Sequence, residues 1–359
     1  MANFVERENI FIRILKYLIP WKGDKPAEIF RKIIFLVSAV VLLVSLVLLI
    51  SDIGSSAEAD KNNEIISDIF HNGTGAEAIT GGNTTLNIDI TPERQEQLKE
   101  ENPEVMENFL PLLEINEDVV GWIYVDGKYE PTIDNVIVQG DDNEFYLDHD
   151  LSGNKMLGGT VFADYRAPIT ATEEPANIIL YGHNMANGTF FGKVPRYFNY
   201  KPGHTGGIDY YKSYPTITFS TLYEERTYKI FAGMLVNTEK TEGDVFYYLR
   251  GRNFDSKEKF DDYIAKILDR STFYTDVDLQ YGDKLLTLST CILDWSWLDW
   301  DLRFVLFARE VRDGEDPTVD VSKAYENPDP LYFDAYYDVY GGEWGGRKWP
   351  AEMIYGYTY

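Results

Sequence analysis

Residues 284–291 read KLLTLSTC and, after an eleven-residue loop, residues 303–310 read RFVLFARE. The first run alternates: Leu286 and Leu288 share one face, and Thr287, Ser289 and Cys291 share the other. That period of two is the signature of a strand with one side against a core. If the two runs pair antiparallel, Cys291 closes one strand at the end where Arg303 opens the next. Arg309 shares the face of Arg303 but lies six residues on, roughly 20 Å away, at the opposite end. Cys291 is also the only cysteine in 359 residues, so no intramolecular disulfide can form. Most such cysteines simply pack. A strand-end position beside a guanidinium offers another role, because that charge favours a thiolate and can stabilise an oxyanion.

Six more runs of the same kind precede these two: GWIYV (121–125), NVIVQG (135–140), GTVFADY (159–165), ANIILYG (176–182), PTITFST (215–221) and RTYKIFAGMLV (226–236). Each is short, β-branched or aromatic, and bounded by Gly, Pro or Asn. Eight runs in one domain predict a mainly β fold, a closed or nearly closed eight-stranded barrel. Two helical stretches flank or interrupt it. Residues 91–116 read TPERQEQLKEENPEVMENFLPLLEIN, with Thr91 as a cap and Pro92 at the first helical position. In DSKEKFDDYIAKILDRS, Asp255 and Glu258 have capping-box spacing, and Phe260, Tyr263, Ile264, Ile267 and Leu268 make one apolar face for the barrel.

The first 50 residues stand outside that core. Ile33 to Ile50 is an uncharged apolar run of 18 residues, long enough to span a bilayer as a helix. Seven Lys/Arg and four acids precede it; Asp52, Glu58 and Asp60 follow. The positive-inside rule then leaves the N-terminus cytoplasmic and all that follows residue 50 outside. A cleaved signal peptide, with AEA at 57–59 as its cleavage pattern, is the rival; the 32-residue basic lead and the long apolar run argue against it. Of 33 basic and 59 acidic residues, 26 and 55 lie beyond the lead, a net charge of −29. Such a surface excludes nucleic-acid binding through phosphate attraction. Residues 51–90, rich in Gly, Asn, Thr and Ala, read as a flexible stalk.

Acyl chemistry at Cys291 needs a proton shuttle, and there are four histidines. His71 falls in the stalk, and His149 and His204 fall in polar loops. His183 follows the apolar run ANIILYG directly, in YGHNM, so it emerges at a strand end as Cys291 does. A nucleophile, a proton shuttle and a cation at strand ends form an acyl-transfer set. Ser289 and Thr290 beside the cysteine, and Asn184 beside the histidine, are the substrate-contact candidates.

These residues carry a resemblance. TLSTC, YGHNM followed by GTFFGKV, and an arginine opening the next strand resemble the sortase transpeptidases, in the order His, Cys, Arg. EDVVGWIYVDG, VIVQGDDNEFYLDHD, GGTVFADYR and the helix of 255–271 look like the class B branch. The resemblance covers roughly 91–312. It implies a sortase-type barrel with peripheral helices, behind one N-terminal transmembrane helix, at a Gram-positive cell surface. Cys291 would attack a threonine carbonyl in the C-terminal sorting signal of an exported protein, giving a thioester. His183 would protonate the leaving amine and deprotonate the incoming one, and Arg303 would hold the oxyanion. The acceptor would be the amine of a peptidoglycan precursor (lipid II) or a pilin lysine. The resemblance implies no cofactor or metal.

Some features depart from the family. Trp295, Trp297 and Trp300 crowd the loop between Cys291 and Arg303, where they either reshape the peptide groove or pack over the barrel mouth. Asp294, Asp299 and Asp301 share that loop and stay outside the catalytic set. The aromatic tail 313–359 extends past the family's usual end, either docking on the barrel or stacking on wall glycan. Another cysteine-dependent wall transpeptidase or peptidase is the rival enzyme; an L,D-transpeptidase would place an arginine within a couple of residues of the cysteine, where Ile292, Leu293 and Asp294 stand. A binding module with a packed, inert thiol is the non-enzymatic alternative.

Overall fold

A computed structural model describes residues 10–73, 78–81, 84–87, 91–127, 132–198, 206–240, 243, 245–292 and 300–357. His204, Asp294, Trp295, Trp297 and Asp299 lie outside the described residues. The chain divides into two compact units, Met1–Ala57 and Glu58–Tyr359. In the first, a helix begins at Pro26 and contains the apolar run. Among the described residues it is the one helix long and apolar enough to cross a membrane.

In the second unit all eight apolar runs form strands: β1 (Val119–Val125), β2 (Ile133–Val138), β3 (Phe162–Ala163), β4 (Asn177–Tyr181), β5 (Thr216–Thr221), β6 (Glu225–Asn237), β7 (Leu285–Cys291) and β8 (Leu302–Glu310). They close a barrel in the order β7-β8-β6-β5-β1-β2-β3-β4. Two neighbours run parallel, β2 with β3 and β4 with β7; the rest are antiparallel. Inward side chains such as Ile123, Leu180, Leu286, Leu288, Phe304 and Leu306 fill the interior. Alternation along β7 and β8 sends Ser289, Cys291, Arg303 and Val305 to the outer face.

That outer face is covered by the Lys257–Arg270 helix, whose Phe260, Ile264, Ile267 and Leu268 pack against Phe231, Val305 and Phe307. Its cap is Ser256, one residue past the expected Asp255: the Ser256 side chain accepts from Lys259 N. Asp255 instead makes an exposed ion pair with Lys259. Thr91 does cap the Pro92–Glu101 helix, accepting from Arg94 N.

Residues 51–72, expected as part of a flexible stalk, are helical. The helix that starts at Pro26 runs on to Asn72. Ile65, Ile66, Ile69 and Phe70 are buried against Phe109, Trp122 and Val136, and Phe70 stacks on Trp122 at 4.0 Å. The spacing of these four puts them on one side of a helix, so burial outweighs the polar composition around them. His71, expected in a free segment, bonds Asp134 at 3.0 Å. The tail docks as well. Trp349, Met353 and Ile354 enter the outer core, Ile354 bridges Leu279, and Asp269 accepts bonds from Trp349 Nε1 and Arg347.

Candidate active site

Register sets the site. Cys291 and Arg303 are direct partners in the β7–β8 ladder, at the end where β7 stops. Across the barrel's other seam, β7 runs parallel to β4, with Ser289 opposite Tyr181. Two residues further along the two chains stand Cys291, the last residue of β7, and His183, just past the end of β4. The two chain ends stay tied beyond the ladder: Thr290 Oγ1 donates to Gly182 O at 2.7 Å, and Asn184 Nδ2 to Cys291 O at 2.9 Å. Gly182 is required here, since a Cβ would sit 2.8 Å from the Phe191 ring. The GTFFGKV loop folds back on the histidine through Phe191 N, which donates to His183 O at 3.1 Å. Within that loop Phe190 is held at φ 53°, a left-handed conformation that a bulky residue adopts only when its surroundings enforce it.

His183 is oriented from outside the strands. Its Nε2 lies 2.8 Å from Leu147 O, in the turn Phe145–Leu147. A carbonyl only accepts, so Nε2 carries a proton and Nδ1 is the ring atom left to exchange one with a substrate. Arg303 is partly buried and ion-paired, Nη1 donating to Asp301 Oδ1 at 2.5 Å. Tyr248 lies under the site, its hydroxyl 2.8 Å from Ser289 Oγ. Burial pushes this phenol up; the Ser289 bond and the Arg303 charge oppose the shift, and Cys291 adds to it.

The described residues thus bring Cys291, His183, Arg303 and Asn184 to one barrel end. Ser289 and Thr290 are buried and bonded within the protein, which makes them the wall beneath the site. His149 stacks on Phe145 at 4.0 Å and bonds its carbonyl, a role in the turn that orients His183. Arg309 is fully buried opposite Leu285 at the strand's other end, paired with Glu315, Asp278 and Asp283. Sequence reasoning missed Tyr248 and the Leu147 carbonyl. Nothing at Tyr248 marks it in the sequence, and every residue has a carbonyl. No group of three His, Cys, Asp or Glu suited to a metal occurs among the described residues. A cavity of about 440 Å³ lies elsewhere, between the 60–72 helical segment and Ile133–Asn135.

Comparison with known proteins bears on the family. No family model matches the chain. Sortase B of Listeria monocytogenes is 30% identical over 190 residues, covering 53% of this chain and 69% of that protein. Sortase B of Staphylococcus aureus is 26% identical over 187 residues, covering 52% and 68%. Among solved structures, a Staphylococcus aureus sortase B–substrate complex aligns over 61% of this chain and 92% of that one, with TM-score 0.49 and 24% identity. Clostridium perfringens sortase B aligns over 56% and 98%, with TM-score 0.46 and 30% identity.

Proposed function

The chain belongs to the class B sortases, which are cysteine transpeptidases, and from that premise we propose that it joins exported proteins to the cell wall through Cys291, His183 and Arg303. The thiolate of Cys291 attacks the threonine carbonyl of a C-terminal sorting signal, forming a C–S bond and a tetrahedral oxyanion. Arg303 stabilises that charge. Collapse breaks the peptide C–N bond as protonated His183 gives its proton to the departing amine. The amine of a cell-wall precursor then loses a proton to His183, attacks the thioester and releases Cys291 as thiolate. Every proton taken is returned, so the cycle needs no other reactant.

The observation that carries this reading is the register pairing of Cys291 with Arg303 at the barrel end where Gly182 and Asn184, on either side of His183, are bonded to Thr290 and to the Cys291 carbonyl. Residues 33–50 would anchor the enzyme with its N-terminus cytoplasmic and everything after residue 50 outside, facing secreted substrates. The test is mass spectrometry of the full-length protein, in detergent, incubated with a library of sorting-signal peptides. An acyl adduct on Cys291, discharged by an added amine, is expected. Peptide transfer that survives Cys291→Ala would overturn the assignment.

A further inference from the structure

The Arg303 guanidinium is held by a chain of contacts that leads out of the barrel into the C-terminal tail. Asp301 Oδ1 accepts from Arg303 Nη1 at 2.5 Å, and Oδ2 accepts from Arg303 Nη2 at 3.5 Å and from the Thr238 hydroxyl. Thr238 N also donates to Asp301 O at 2.9 Å, so the carboxylate is fixed to the end of β6. One residue earlier, the Trp300 ring is buried, edge-on against Phe333 at 5.0 Å and Tyr340 at 6.5 Å. Those aromatics belong to the tail, on and beside a helix spanning Asp334–Tyr340. Tyr332 and Tyr336 stack at 4.1 Å behind them. The segment 331–334 also lines a cavity of about 170 Å³ with Val236, which is the ladder partner of Arg303 on β6.

We infer that the C-terminal tail is a positioning device for Arg303. It clamps Trp300, Trp300 fixes the start of β8, and Asp301 then sets the guanidinium where the oxyanion will form. The inference rests on the sortase reading of the site. Its physical ground is that oxyanion stabilisation requires donors in place before charge develops, whereas a free arginine side chain samples many rotamers. Stability is no reason for the pair: Asp301 is half-exposed, and exposed ion pairs contribute little to folding. Asp301 and Trp300 are therefore positioning residues that act through Arg303.

The test measures kcat, KM and thermal midpoint for acyl transfer by the full-length protein, in detergent, on one sorting-signal peptide. Asp301→Ala, Trp300→Ala and Phe333→Ala should each lower kcat by about 10- to 100-fold, the scale of a misplaced catalytic group, with KM little changed. Trp300→Phe, which keeps the aromatic contact, should recover most of the loss. In an Arg303→Ala background, Asp301→Ala should change nothing further. The inference is overturned if Asp301→Ala lowers the Arg303→Ala enzyme by the same factor as the wild type, or if the tail variants shift only the thermal midpoint. A Cys291→Ala enzyme run alongside separates the two failures. If it stays active, the sortase reading itself is wrong; if it is dead, only the positioning role falls.

Discussion

Arg303 and Arg309 show how much position decides at the scale of one residue. They share a strand and a face, yet one borders Cys291 and the other is locked in a buried ion cluster. Arg303→Ala should slow acyl transfer by about 10²- to 10³-fold, the usual cost of one oxyanion donor, and Arg303→Lys should restore little. Its place at the far end of the strand predicts that Arg309→Ala leaves the rate of acyl transfer per folded molecule within a few-fold of wild type. Losing the buried guanidinium's charge-assisted bonds to Glu315, which keeps Lys229 as a partner, should nonetheless cost about 1.5–3 kcal/mol of stability, measurable by urea unfolding. The same cluster is acid-sensitive. The bonds from Arg309, and then Lys229, hold the Glu315 carboxyl well below its usual 4.5 despite partial burial. A depressed carboxyl contributes its stability in full above the unfolded value and loses it as pH falls through the folded value. The thermal-midpoint gap between wild type and Glu315→Gln should therefore be full at pH 6 and shrink steadily below about pH 4.5. The Cys291–Arg303 register was legible because alternation and strand ends are written in side chains. The Leu147 carbonyl that orients His183 was not, because a backbone acceptor leaves no mark in the sequence.

Elements were legible wherever one period dominated. All eight strands announced themselves through β-branched and aromatic runs between turn residues. The segment 58–72 did not, because its Asp, Asn and Glu outnumber the apolar residues that matter. The signal was nonetheless present in Ile65, Ile66, Ile69 and Phe70, one helical face written among polar neighbours. The cap of the Lys257–Arg270 helix went astray by a single position, since Asp255 and Ser256 are both good capping residues. Ser256→Ala should lower stability by about 1 kcal/mol in a urea titration, and Asp255→Ala should cost less. The docked tail gives the sharpest element-scale expectation. Trp349→Ala removes a fully buried ring and a donor to Asp269, so it should cost about 3–5 kcal/mol.

For the whole molecule, the charge pattern and the apolar run make a prediction about sidedness. In wall-stripped cells, added protease should shave the unit after Ala57 and spare the basic N-terminal 32 residues; release of a chain lacking its first 59 residues would instead show signal-peptide cleavage. The parallel seam between β4 and β7 joins Gly182 to Thr290 across 108 residues of chain. Closing so long a loop is entropically costly and slow. Until that seam forms, the Cys291 thiol and the His183 imidazole belong to distant stretches of an unfinished polymer, and under the proposed mechanism the nucleophile has no proton partner. Competence arrives all at once with ring closure. The onset of peptide transfer after dilution from denaturant is therefore a clock for the slowest contact in the fold.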